Sequence, residues 1–142
     1  MTYDKNNENR NHSGRFVVIL LMNTNERTAP ARPLVATEPT AVSPAEQFQN
    51  QTIRPILKLL DGSIRALWHH HWPKRKTPFD RLSKPDQMAY IERTVRDDTR
   101  LRLTLVGMVL GQFTAEEWPV FTADEAEITR RIVSLLIQRL QH

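Results

Sequence analysis

Leu-Arg-Leu-Thr-Leu-Val-Gly-Met-Val-Leu-Gly-Gln-Phe-Thr-Ala-Glu-Glu-Trp-Pro-Val-Phe-Thr, residues 101–122, settles the architecture. Apolar residues fall on nearly every helical face of 101–113. A helix there is expected at the centre, with one-sided helices wrapped around it. Gly107 and Gly111 stand four apart and predict that another helix backbone approaches closely on that face. Thr114-Ala-Glu-Glu117 then reads as a capping box, in which hydroxyl and carboxylate satisfy each other's backbone donors. It opens a short helix that Pro119 is expected to limit to about one turn.

Working outward, the same signature recurs. Ser43-Pro-Ala-Glu46 is a capping box with proline at the first helical position, where a missing N–H costs nothing. The apolar positions that follow keep helical spacing: Phe48, Ile53, Ile56, Leu57, Leu60, Ile64, Leu67 and Trp68. Pro55 removes one backbone bond and predicts a kink or a fresh start near Arg54. Gly62 weakens the same stretch by about 1 kcal/mol relative to alanine. Trp72-Pro73 ends it, and residues 74–78 read as a basic loop with Phe79 as an anchor. Ser83-Lys-Pro-Asp86 starts the next helix, with Met88, Ile91 and Val95 inward. Residues 84–113 exceed an ordinary globular helix, so two helices or one kinked helix are expected. Thr122-Ala-Asp-Glu125 reads as a third box, launching a C-terminal helix that turns Ile128, Ile132, Leu135, Leu136 and Leu140 inward. The fold class is all-α: a compact bundle of about four to five helices over 44–142, preceded by a tail.

The tail, residues 1–43, differs in kind. Its first part is rich in asparagine, and Pro30, Pro33 and Pro39 follow, a composition that buries too little apolar surface to offset chain ordering. We expect it to be disordered or poorly ordered. Within it, Phe16-Val-Val-Ile-Leu-Leu-Met22 is a run of apolar residues with three open readings. It is a short strand or docking segment, a minimal secretory signal flanked by Arg10, Arg15 and Ala29-Pro-Ala31, or residue left by an upstream start, since Met22 itself could begin a shorter chain. The chain is expected to be cytoplasmic, or exported if 10–31 acts as a signal.

The chain has 142 residues, a formal net charge of +4 and no cysteine. Disulfides, thiolate nucleophiles and cysteine zinc sites are thereby excluded. From residue 43 onward, 15 Lys/Arg stand against 12 Asp/Glu, an excess of three, whereas a dedicated nucleic-acid binder shows a stronger, clustered bias. Nothing approaches the roughly 20 apolar residues of a transmembrane helix.

Few candidate sites emerge. His69-His70-His71 are consecutive, so in a helix they point about 100° apart and cannot close on one ion. We expect no metal site and no cofactor. Arg65 to Arg81, with Lys74, Arg75 and Lys76 and interleaved Trp68 and Trp72, is the best nucleic-acid candidate, though lysines near a helix C-terminus also answer its dipole. Glu116, Glu117, Asp124, Glu125 and Glu127 read as ordinary first-turn carboxylates. Asn50, Arg54 and Lys58 share a helix face away from the apolar stripe and form a candidate polar edge. Asp98 precedes Arg102 by four residues, the favourable order for a helical ion pair, and with Gln112 these are expected as internal polar struts. No nucleophile, base and orienter converge, and no phosphate loop or dinucleotide fingerprint is present.

Phe48-Gln-Asn-Gln-Thr-Ile-Arg-Pro-Ile-Leu-Lys58, Lys74-Arg-Lys76, Arg81-Leu82, Tyr90-Ile-Glu92, Asp97, Arg102, Gly107-Met-x-x-Gly-Gln-Phe-Thr114-x-Glu-Glu117 and Arg139-Leu140 resemble a family of short bacterial proteins, mostly of Bacteroidota type. The resemblance spans about two-thirds of the chain. Members of that family sometimes carry the label "glyoxalase", which implies a metal-dependent lyase. Glyoxalase-type enzymes resemble one another in paired β-α-β-β-β modules whose strands hold the metal, and this chain reads as helix in their place. The residues themselves point to an interaction or regulatory module. It presents Asn50, Arg54 and Lys58 or the 74–76 loop to a protein partner, and self-association is open. A glyoxalase-type lyase and a nucleic-acid module through 65–81 are the alternatives.

Overall fold

Ser43 caps the first helix as its sequence dictates: its Oγ accepts from the Glu46 N–H at 3.1 Å, and Pro44 occupies the first turn. This computed structural model describes residues 32–36 and 43–142, so the apolar run 16–22 lies outside the described residues. Helix α1 is Pro44–Phe48. A π-turn, Gln49–Ile53, follows directly, and the Arg54 N–H reaches back five residues to the Gln49 carbonyl. Pro55 explains the wider turn: it cannot donate, and its ring crowds the carbonyl four residues earlier. Helix α2, Arg54–Leu59, therefore starts where the proline predicts. A second break at Leu60 separates it from α3, Asp61–His71.

Two short 3-10 turns, Trp72–Arg75 and Phe79–Arg81, make the connection to α4, Lys84–Asp97. Phe79, which opens the second turn, is buried, the anchor the sequence implies. Asp98 leaves the helical region and becomes the N-cap of α5, Thr99–Leu110, so residues 84–110 are two helices. Then come α6, Glu117–Ala123, and α7, Glu125–Gln141. The fold is all-α, with no strand among the described residues. Among those residues, no helix is long and apolar enough to cross a membrane.

The centre belongs to α7. It packs on α2, α3, α4, α5 and α6, and on the π-turn. Ile128, Ile132, Leu135, Leu136 and Leu140 point inward as expected, joined by Val133 and Ile137. Burial of each such side chain contributes about 1.5–3 kcal/mol. The expectation that 101–113 is central is corrected: α5 buries Leu101, Leu105, Val106 and Val109, and turns Leu103, Thr104 and Gly107 to solvent. The close helix approach at the glycines is corrected with it. A Cβ on Gly107 would meet nothing within 4 Å, and one on Gly111 would meet only carbonyls of its own helix. Gly111 ends α5, its N–H bonded to the Gly107 carbonyl at 2.9 Å.

Two capping details also differ. Pro119 does not stop α6, because it sits in the first turn, where its absent N–H has no partner to lose. Thr122 caps nothing. It lies inside α6, and its hydroxyl donates back to the Trp118 carbonyl at 3.1 Å, the competing local bond open to threonine. Aromatic rings hold the two ends of the bundle. Phe113 meets Phe48, Trp118 and Phe121 edge-on at 5.4, 5.5 and 5.6 Å. At the other end Phe79 meets Trp68, Trp72 and Tyr90 at 5.6, 5.3 and 5.6 Å.

Candidate functional site

The π-turn determines what faces where. It sends Thr52 and Ile53 inward and leaves Asn50 and Arg54 on the outer side. The Arg54 Nε donates to Asn50 Oδ1 at 3.1 Å, and Lys58 follows one turn later in α2. The polar edge read from the sequence is therefore assembled. Arg54 lines two open grooves along α7, which also share Leu135 and Gln138. One, about 490 Å³, is lined by Arg54, Lys58, Arg65, Arg139 and His142, with Leu34, Val35 and Ala36 opposite. The other, about 460 Å³, is lined by Gln49, Arg54, Arg96, Arg130, Arg131 and Gln138. Neither has an Asp or Glu side chain among its described lining residues.

Most of these cations are answered nearby. Arg65 pairs with Asp61 at 3.1 Å, and Arg139 approaches the same carboxylate at 3.5 Å. Arg130 and Arg131 share Glu127 at 2.5 and 2.7 Å, and their hydrogen bonds hold its carboxyl below the usual glutamate range. Arg96 pairs with Glu92 at 3.0 Å. Arg54 and Lys58 have no carboxylate partner among the described residues; Arg54 lines both grooves and Lys58 the larger one.

The 74–76 loop does not join this edge, since none of its residues lines either groove. Lys74 Nζ lies 2.7 Å from His70 Nε2. Arg75 binds Asp98 and, at 3.2 Å, His71. Lys76 takes a left-handed conformation that closes the 3-10 turn. The three histidines diverge as consecutive helical residues must: His70 faces Lys74, His71 meets Asp98 at 3.1 Å, and His69 is exposed. Among the described residues no group of three or more His, Asp or Glu is placed to hold a metal ion.

The Asp98–Arg102 strut does not form. Asp98 is spent as an N-cap, accepting from the Leu101 N–H at 3.0 Å, a bond that with Arg75 and His71 holds its carboxyl below the usual range against the opposing effect of burial. Arg102 instead donates to the Arg96 carbonyl. The helix break that makes Asp98 a cap turns its side chain toward the Leu101 N–H and away from the residue four later. Gln112 contributes through its main-chain carbonyl, which accepts from Arg32.

That last bond belongs to a cluster the sequence reading missed. Glu117, assigned to ordinary capping, accepts from the Thr114 N–H at 2.8 Å, as its box predicts. It also accepts from Thr52 Oγ1 at 3.2 Å and from Arg32 through both Nη atoms, at 2.5 and 3.0 Å. The side chains are 8% and 17% exposed. Burial pushes the Glu117 carboxyl up, but Arg32, Thr114 and Thr52 outweigh it and hold it below the ordinary range. Arg32 belongs to the stretch expected to be tail, and no periodicity marks it. The box spacing of Thr114 and Glu117 was the only available hint.

The site's grooves can take an extended anionic group, and the Glu117 cluster holds a guanidinium. Comparison with protein-family models, curated proteins and solved structures returns no match.

Proposed function

We propose that this chain is a helical interaction module that presents Arg54 and Lys58 to an acidic segment of a protein partner. One observation carries the reading: two cation-lined grooves share Arg54, Lys58 lines the larger of them, and no carboxylate answers either charge among the described residues. An Asp- or Glu-rich segment laid along α7 would answer that charge and draw on neighbours whose existing pairs are exposed and weak.

A nucleic-acid partner is disfavoured by burial. Trp68 and Phe79 of the basic 65–81 stretch belong to the core, so their faces are not offered for base stacking. Asp61, Glu92 and Glu127 also interrupt the cations that would have to follow a phosphate backbone. A cytoplasmic setting accords with the cysteine-free composition. Membership of the bacterial family that the Gly-Met-x-x-Gly-Gln-Phe-Thr string resembles is part of the same proposal.

The test is fluorescence anisotropy with a labelled Glu/Asp-rich peptide and a single-stranded oligonucleotide of equal charge. The peptide should bind more tightly, and Arg54→Ala with Lys58→Ala should weaken it roughly tenfold, the scale of one lost charge-assisted contact. Equal peptide affinity for parent and double variant would dismiss the proposal. So would tighter binding of the oligonucleotide.

A further inference from the structure

We infer that Glu117, Thr52, Thr114 and the Gln112 carbonyl form a built socket for a guanidinium group, and that Arg32 of this same chain is its resident ligand. Three features carry the inference, none of which depends on the groove reading. First, the carboxylate is oriented without Arg32. The Thr114 N–H and the Thr52 hydroxyl hold Oε2 and Oε1 respectively, and both threonines are buried. The socket therefore persists when its ligand leaves.

Second, the acceptors match a planar fork. Arg32 Nη1 and Nη2 each donate to one Glu117 oxygen, and the remaining Nη2 hydrogen goes to the Gln112 carbonyl. A guanidinium satisfies three in-plane acceptors at once, whereas an ammonium presents its donors tetrahedrally around a point charge. Third, only the fork end is used. Arg32 Nε is buried without a partner, so recognition rests on the terminal amino groups that any alkylguanidinium shares.

Seating Arg32 has a structural consequence. Leu34, Val35 and Ala36, shortly after it in the chain, line the larger groove. The socket thus ties residues 32–36 to the bundle.

The experiment uses the full chain carrying Arg32→Ala, followed by thermal melting with millimolar ethylguanidinium or ethylammonium chloride. Arg32→Ala should lower Tm, and ethylguanidinium should recover at least half of the loss while ethylammonium recovers none. Adding Glu117→Gln should abolish the recovery. Because the chain has no cysteine, Ala36→Cys gives a unique site for a nitroxide. The label should be immobilised in the otherwise unaltered chain, and ethylguanidinium but not ethylammonium should mobilise it. This second measurement needs no change at Arg32. A Tm indifferent to Arg32→Ala, recovery by both cations or by neither, recovery that survives Glu117→Gln, or a label mobile from the outset each overturns the inference.

Discussion

Helices α7 and α5 are both rich in aliphatic residues, yet they occupy opposite stations. α7 alternates charge and aliphatic residues with helical period, burying Ile128, Ile132, Leu136 and Leu140 on one stripe while Arg130 and Gln138 face out. α5 is apolar more evenly, buries one side only, and leaves Leu103 63% exposed. Contact with many neighbours follows the phase of a pattern, and total apolarity does not supply it. The strongest way to break this contrast is at Leu136, fully buried at the hub. Leu136→Ala should cost about 2–5 kcal/mol by the usual measure for a large-to-small core change, read from urea unfolding at unchanged m. A loss under about 1 kcal/mol would remove α7 from the centre.

Next in size is the connection that leaves α5, where Glu117 anchors Arg32. Glu117→Gln should destabilise by about 1–3 kcal/mol, since buried donors lose a charged acceptor. The pH dependence has a definite sign. The folded-state carboxyl lies below its ordinary value of 4.5, so its contribution is fully present above that value and is lost as pH falls through the lower, folded-state one. The gap in stability between parent and Glu117→Gln should therefore be constant near neutrality and close on acidification. A gap that widens below pH 4.5 would contradict the assignment.

This region also shows what a sequence can and cannot reveal. Local signals were legible: Ser43 and Ser83 cap where they should, Pro55 restarts a helix, and Phe79 is an anchor. Each depends on neighbours within a few residues, where backbone chemistry dictates the outcome. The edge of Asn50, Arg54 and Lys58 was legible for the same reason. Arg32 was not, because its partner is 85 residues away and a lone arginine in a proline-rich stretch carries no periodicity. The glycine pair misled because small residues permit a close contact without requiring one. Thr122 misled because a threonine hydroxyl has two local bonds to choose from.

The glycines supply a smaller and opposite effect. A methyl group at Gly107 meets nothing, and the residue sits inside α5 with no positive φ to protect. Gly107→Ala should stabilise the fold by about 0.5–1 kcal/mol, the ordinary gain in an exposed helix interior. If the close helix approach existed, the same change would destabilise. Thermal melts of this one variant decide between the two arrangements.

The smallest effect is expected at Leu103, on the same outer face. Its side chain is mostly in water already, so Leu103→Ala removes little buried area and should shift stability by no more than about 0.5 kcal/mol. The measurement is sharpest as a concentration series. A covering second copy would bury Leu103 by mass action, making the parent's Tm rise with protein concentration and the variant's much less so. Parallel, flat curves for the two proteins keep α5 at the rim of a monomeric bundle, with α7 alone at its centre.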